Sequence, residues 1–580
     1  MIKLTLSEIL QKNTELLSSM NGPKYDIGII SNVTLSPIND ILECALRLES
    51  INAHVELGDY DSIISDCKNF SQKNAVIVFW ELTNLIADFE ISINRMNESQ
   101  LNQLIERFED EIKFVLNELK DVPLVLWNKF NSSLNSYNPI SDKTNKIKVS
   151  NMLNNVLQTH KTPNMVVIDL EKIFIEHGIN KVFDARQFHN SKAPYTTLFY
   201  KDYVNKILPA IFAANGKTKK VLVLDCDNTL WGGVIGEDGI DSIAIDVSTK
   251  KGEIFSYIHE KILDLKDQGV MLAICSKNNY QDVEEVFDNK NFALKVSDFS
   301  ALRINWKHKM ENINSIAEEL NVGLDSFVFL DDSMFEIDNI KKALPEVSCF
   351  MVPKNISDYP KLFDSLEQLF FSFGATKEDS NRTKMYMEES KRKKESLKWK
   401  SQEDYLESLG LEITILNEKT LTIPRAAQLT QKTNQFNLTT QRYTETEIQN
   451  FISNKEFFIR SFLVKDKFGE YGETGLIIIK KDIKNQSLDI DTLLMSCRVI
   501  GRKIEMFFID HIIKEFIKSP FKTIQGKYIR TAKNDQVKNF YESINFECTE
   551  SNENEKYYLL ELTDYNAIEK KFINIVECYE

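Results

Sequence analysis

Residues 221–239 read VLVLDCDNTLWGGVIGEDG. The opening Val-Leu-Val-Leu is a short, wholly apolar run, the pattern of a parallel strand buried on both faces. It leads directly into Asp225 and Asp227, with Thr229 two positions further on. In open α/β sheets, ligands sit beyond the carboxyl ends of the strands, so this strand delivers two carboxylates to the place where chemistry is expected. Carboxylates bunched this closely repel one another and call for a cation. Mg²⁺ is the usual partner in an oxygen-rich site that handles phosphate.

Later strand ends supply matching parts. The apolar run 271–275 ends at Ser276, whose hydroxyl and following amides suit a phosphate oxygen, and Lys277 and Asn278 come next. Lys309 opens an amphipathic helical stretch and is placed to neutralise charge on a nucleophile and a phosphate. The run 327–330 ends at Asp331-Asp332, a second acidic pair suited to holding a metal. Further strands are expected at 293–296 and 348–352.

Working outward, the 580-residue chain is too long for one hydrophobic core. Residues 1 to about 212 alternate short apolar runs (25–31, 54–57, 75–80, 124–127, 165–168) with helical spacing, as a parallel α/β sheet does. A polar, glycine-containing joint at 213–218 precedes the strand at 221, so the second segment spans 213–375. The third, 376–580, opens on a charged stretch centred on 391–394 that reads as a solvated helix. It then gives strands at 457–463, 474–479, 488–494 and 557–562 mixed with helices.

Composition bounds the function. The formal net charge is −15 and 42% of residues are hydrophobic, which fits a globular chain and disfavours nucleic acid or an anionic membrane as a partner. No apolar run approaches the about 20 residues of a membrane span. The eight cysteines form no C-x-x-C pair. A reduced, cytoplasmic protein is expected.

The ordered set Asp-x-Asp, Ser, Lys, Asp-Asp resembles the haloacid dehalogenase (HAD) phosphotransferase superfamily. With DCDNTLWGGVIGEDG, LAICSKNN, INWKHKMENI and FVFLDDSMFE, the chain is more narrowly similar to the FkbH-like family. The resemblance implies Asp225 as nucleophile toward phosphorus and Asp227 as general acid/base. It implies Ser276 and Lys309, with Lys277 and Asn278 beside them, as the phosphate-binding group. Asp225, Asp227, Asp331 and Asp332 would form the Mg²⁺ site. The chain departs from the family pattern at Ser333-Met334, where Asn-Pro is usual, and at Ile337, where Arg is usual.

FkbH-like proteins are associated with loading a glyceryl unit from 1,3-bisphosphoglycerate onto the phosphopantetheine thiol of an acyl carrier protein, in polyketide and related pathways. An enzyme thiol is a natural relay for an acyl phosphate. Cys226 is the candidate and Cys497 the runner-up.

The third segment resembles the GNAT acyltransferase fold. Arg498 and Gly501 match its pyrophosphate loop, with Lys503 where a small residue is usual. Asn534 and Tyr541 fall in its last helix–strand element, so all but Lys503 are expected pantetheine or coenzyme A contacts. Residues 432–443 (KTNQFNLTTQRY) match full-length FkbH-like proteins. The first segment resembles an SGNH hydrolase, a flavodoxin-like α/β fold. Its Ser31-Asn32 and His189 lack the usual spacing to Gly28 and Asp184, so a degenerate, non-hydrolytic domain is expected.

The expected architecture is therefore α/β in three parts: SGNH-like, HAD-like Rossmannoid and GNAT-like α+β. The expected activity is transfer from a small phosphorylated donor to a carrier protein. The alternatives are a plain Mg²⁺-dependent HAD phosphatase of a small metabolite, a GNAT acyltransferase with a regulatory HAD domain, and a non-enzymatic scaffold. The intact carboxylate set argues against the scaffold.

Overall fold

In the computed structural model, described for residues 4–20, 22–134, 144–245, 247–289, 293–373, 392, 395, 399, 401–531, 533–568 and 572–578, the apolar runs become three sheets. The chain packs as two units, residues 1–214 with 443–447, and residues 215–442 with 448–580. The joint expected near 376 lies outside the described residues. So does most of the charged stretch around it, but Arg392 is described. It is buried rather than solvated, with Nε and Nη2 donating to Asp466 at 2.7 and 2.8 Å.

In the first unit, β1 (Tyr25–Ser31), β2 (Ala53–Leu57), β3 (Ala75–Phe79), β4 (Leu124–Asn128) and β5 (Met165–Ile168) form a parallel sheet in the order β2-β1-β3-β4-β5. That is the flavodoxin-like doubly wound order. The central strand β3, AVIVF, is buried at every position, as a strand covered on both faces must be.

The second unit holds two sheets. β6 (Val221–Leu224), β7 (Met271–Ser276), β8 (Phe299–Ile304), β9 (Phe327–Asp331) and β10 (Ser348–Met351) run parallel in the order β10-β9-β6-β7-β8. Leu224 lies opposite Leu330 on one side and Ile274 on the other. The residues that follow these three strands therefore meet at one edge. Side chains alternate between two cores: Leu222, Leu224 and Cys226 enter one, Val221 and Val223 the other. The strand expected at 293–296 is corrected. Asp298 accepts from the Lys295 amide at 2.7 Å and pairs with Lys266, which fixes a short helical turn at Val296–Asp298. The strand starts only at Phe299.

The remaining strands are β11 (Leu411–Leu416), β12 (Phe436–Asn437), β13 (Phe457–Asp466), β14 (Gly469–Asp482), β15 (Ser487–Met495), β16 (Thr523–Ile529), β17 (Glu547–Ser551), β18 (Glu555–Glu561) and β19 (Ile573–Cys578). They form a mixed sheet in the order β17-β18-β16-β15-β14-β13-β11-β19, with β12 paired to β15. β15 and β16 pair in parallel only from Ser487/Thr523 to Ile490/Gly526. Beyond that point residues 436–439 lie between them. Phe436 and Asn437 pair with Met495 and Leu494. Leu438 N–H donates to the Leu493 carbonyl at 3.2 Å, and Ile529 N–H donates to the Leu438 carbonyl at 2.8 Å. No helix among the described residues is long and apolar enough to cross a membrane.

The loop after β6 is fixed from beneath. His259 Nε2–H donates to the Leu230 carbonyl at 2.7 Å, and Tyr359 OH donates to the Thr229 carbonyl at 3.1 Å. Burial pushes the His259 pKa down to about 4, so the ring is neutral at pH 7. The unfolded chain binds this proton near pH 6.5 and the folded chain only near 4. His259 should therefore leave stability intact above about pH 6.5 and remove roughly 3 kcal/mol as pH falls through that window to 4. Denaturant midpoints of wild type and His259→Gln across pH 4–7.5 check this, with the wild type showing the steeper loss on acidification.

Candidate active site

Asp225, Asp331 and Ser276 stand at the carboxyl ends of the three adjacent strands β6, β9 and β7. All three are buried. Asp225 N–H donates to the Leu330 carbonyl at 3.1 Å, which locks the two aspartate-bearing strand ends together. Lys309, at the start of helix Lys309–Leu320, reaches the same place from the next element. Its Nζ lies 2.9 Å from Asp225 Oδ1 and 2.6 Å from Asp331 Oδ2. Burial alone would lower the Lys309 pKa. The two carboxylates override it and hold the ammonium above its ordinary value. Burial, and then the Asp225 charge, push Asp331 up to about 6. Asp332 is raised by the same two causes.

Asp227 is oriented from three sides. Trp231 Nε1–H and the Ile235 amide donate to its Oδ1 at 2.9 and 3.1 Å, and Asn278 Nδ2–H donates to its Oδ2 at 2.9 Å. Asn278 also donates to Ser276 Oγ at 3.1 Å. One amide thus ties the acid/base candidate to the phosphate-binding candidate. Trp231 was not singled out from the sequence. Its signal is the Trp four residues beyond the second Asp of the Asp-x-Asp pair, where a loop folding back on itself brings the indole to the carboxylate.

Carboxylate oxygens of Asp225, Asp331 and Asp332 lie within 4.8 Å of one another. Three hard oxygen donors converging, with a single ammonium offsetting them, suit a divalent cation of the Mg²⁺ type. The other candidates fall elsewhere. Lys277 Nζ donates to Glu336 Oε1 at 2.6 Å rather than reaching the carboxylates. The departure at Ile337 fits this region, since the residue is buried in the core beside Ile313 and Ile316.

Cys226 requires a correction. It packs with Leu222, Leu224 and Trp231, fully buried. Burial, and then the Asp225 carboxylate, drive its thiol pKa well above the ordinary value. A reactive thiolate is the opposite of what this setting favours. Cys275 is likewise buried, its thiol pushed up to about 12 by burial.

In the third fold, Cys497 is half-buried and Arg498 Nε–H donates to Ser496 Oγ at 3.2 Å. Gly501 takes a positive φ of 84° just before helix Ile504–Ile517. Asn534 and Tyr541 are not open to a ligand in this arrangement. Asn534 is fully buried, its Nδ2 donating to the carbonyls of Asn437 and Ile529 at 2.9 Å each. The Tyr541 ring packs against Gly526, where a Cβ would come within 2.5 Å of it. A cavity of about 210 Å³ lies between the loop bearing Cys497 and Arg498 and the opposite, amino-terminal edge of the β6 sheet, with Lys220, Lys432 and Lys533 in its walls.

In the first unit, the Ser31 hydroxyl is turned onto its own chain. It donates to the Val33 carbonyl at 2.9 Å and accepts from the Val33 amide at 3.0 Å. Asp184 caps helix Ala185–Ser191 through the Gln187 amide at 3.0 Å, and His189 sits edge-on to Phe188. Among the described residues, no hydrogen bond joins Ser31, Asp184 and His189.

One solved structure matches about two thirds of the chain. The N-terminal part of a Bacteroides fragilis protein, which contains a phosphatase domain complexed with Mg, is 25% identical. It covers 64% of this chain and 100% of its own, with a TM-score of 0.56. The second fold is that of the HAD phosphatases. The FkbH-like resemblance of the chain rests on the same residues, and a set assembled in this way belongs to an enzyme. Also similar are the Escherichia coli ribosomal-protein-S18-alanine N-acetyltransferase, 13% identical over 27% of this chain and 97% of its own (TM-score 0.21), and a Campylobacter jejuni N-acetyltransferase in complex with acetyl coenzyme A, 16% identical over 20% and 74% (TM-score 0.16). The chain matches no protein-family profile and none of the curated proteins.

Removing the ammonium while leaving its two buried partners should expose the repulsion that the HAD site contains. Lys309→Gln should destabilise the metal-free protein by about 3–5 kcal/mol, and Mg²⁺ should restore more stability to the variant than it adds to wild type. Thermal melts with and without Mg²⁺ read both effects.

Proposed function

We propose that this protein is a Mg²⁺-dependent transferase of the FkbH-like type. In this reading it acts on a phosphorylated three-carbon donor resembling 1,3-bisphosphoglycerate and places the glyceryl unit on a carrier-protein phosphopantetheine thiol. The observation that carries the reading is the pairing of a cation-held Asp225 with an independently oriented Asp227. A nucleophile and a proton donor two residues apart are held by different partners.

Asp225 Oδ attacks phosphorus and displaces the ester oxygen, forming an aspartyl-phosphate. Asp227 delivers the proton to the departing oxygen, then takes one from the water that attacks the aspartyl-phosphate. Ser276, positioned by Asn278, and Lys309 hold the phosphoryl oxygens. Asp225, Asp331 and Asp332, with the backbone of Asp227, would hold Mg²⁺. When bound, the ion supplies the positive charge that phosphoryl transfer needs.

For the acyl step, the carrier thiolate attacks the acyl-phosphate carbon of the donor. A carbon–sulfur bond forms and phosphate leaves with the carbon–oxygen electron pair. The buried state of Cys226 supports direct attack by the carrier thiol over an enzyme-bound thioester at that residue. The same burial favours a second reading, a plain phosphatase of a small metabolite, which needs only the Asp225 steps.

Intact mass spectrometry of a holo-carrier protein incubated with enzyme, Mg²⁺ and 1,3-bisphosphoglycerate separates the two. A glyceryl mass gain supports transfer, and phosphate release without it supports the phosphatase. Asp225→Asn should lower phosphate release by at least about a thousandfold (about 4 kcal/mol) with unchanged circular dichroism. Cys226→Ala should leave acylation intact, whereas its loss in a folded variant would restore the relay.

A further inference from the structure

A cavity of about 250 Å³ opens beside the carboxylate site, lined by Asn228, Gly232, Lys251, Phe255, Asp332 and Lys354 among others. Asp332 belongs to the metal-type cluster, so the cavity adjoins the place where phosphorus would sit. Lys354 follows β10, and the Val352 amide donates to the Asp331 carbonyl at 2.8 Å, which sets this strand end beside that of β9. Lys251 lies in the first turn of helix Lys250–Asp267, whose cap Thr249 accepts from the Gly252 amide at 2.9 Å. Two different elements thus each contribute one lysine to the cavity lining.

Two lysines at the neighbouring strand ends are committed. Lys309 is held by Asp225 and Asp331, and Lys277 by Glu336. Lys251 and Lys354 make no ion pair among the described residues. In a chain of net charge −15, two such cations facing one small cavity form a local reversal of sign. Without it, four aspartates would repel an anion approaching the site. The cavity wall is tight, since a Cβ on Gly232 would come 2.9 Å from the Phe255 ring. Its volume lies below that of ordinary cofactor pockets, about 300–1,000 Å³, and suits a group of a few heavy atoms.

We propose that this cavity is a subsite for a second anionic group on the phosphorylated substrate, recognised by Lys251 and Lys354. The substrate class is a small phosphorylated acid or a bisphosphate. A phosphomonoester with a neutral remainder would leave both ammonium groups unmatched. This deepens the proposed function and rests on its placement of phosphorus at Asp225.

The test uses the full chain with Mg²⁺ and three probes: glycerol 3-phosphate with one anionic group, 3-phosphoglycerate with phosphate and carboxylate, and 1,3-propanediol bisphosphate with two phosphates. Wild type should release phosphate from at least one two-anion probe with kcat/KM at least tenfold above that for glycerol 3-phosphate, the difference lying in KM. The probe preferred identifies the second group as carboxylate or phosphate. The double variant K251Q/K354Q should cut that preference at least tenfold, K251R/K354R should retain it, and K361Q, on the helix Tyr359–Glu367, should not alter it. No preference in wild type, or an equal preference in the double variant, overturns the subsite. If no probe is turned over, the phosphoryl reading fails on its own, and calorimetric binding of the same probes still decides the subsite. Tighter binding of a two-anion probe that the double variant loses supports it, and equal binding overturns it.

Discussion

The structure around the site depends on one ammonium group. Lys309 stands between Asp225 and Asp331, two carboxylates that three parallel strands force to the same edge. Nothing about the sheet requires acids there. The sheet requires only that strand ends converge, and charges gathered at a buried edge must be compensated where they stand. Lys309 begins its own helix, so the position of helix Lys309–Leu320 against the sheet and the electrostatic balance of the site are one constraint. A single buried cation for this many acids also leaves the centre of the cluster short of positive charge, which a divalent ion fits.

Around that centre the protein divides its tasks among separate partners. Asp225 is ion-paired with Lys309, while Asp227 answers to an indole, a backbone amide and Asn278. Two carboxylates two residues apart in the chain thereby occupy different environments, the condition under which neighbouring acids take different roles. Cys226, between them, faces the other way because side chains alternate along a strand. It serves as packing.

Much of this was legible in the sequence, because strand ends followed by polar residues mark a catalytic edge whatever the loops do. That rule picks out Asp225, Asp227, Ser276, Asp331 and Asp332, and a helix start picks out Lys309; the structure brings Lys309 against Asp225 and Asp331. What escaped was set by contacts the local pattern does not carry. Trp231 reaches Asp227 only because its loop doubles back. The turn at Val296–Asp298 replaces a strand because an aspartate side chain captures the backbone. Asn534 and Tyr541 look like ligand contacts in the chain, yet they are interior: residues 436–439 arrive from about a hundred positions away in sequence to bond with Asn534, and Tyr541 packs on Gly526. Lys277 follows Ser276 in order but is drawn off by Glu336, an acid on the helix after β9.

The arrangement of the second unit also has a spatial meaning. Asp225 and the loop bearing Cys497 lie at opposite edges of the β6 sheet, since Asn321, which precedes β9, donates to the Cys497 carbonyl at 3.1 Å. A strand of this length, with its flanking residues, separates the edges by roughly 16 Å. A group bound at one edge is therefore out of direct reach of side chains at the other.

Residues 436–439 complete this picture. They lie about fifty residues before the β15 positions they bond, so the gap is held by an intramolecular ligand at a fixed local concentration. A free molecule seeking the same backbone groups of β15 and β16 competes against that local concentration at every encounter. The seam between these two strands is therefore filled by the chain itself before any partner arrives.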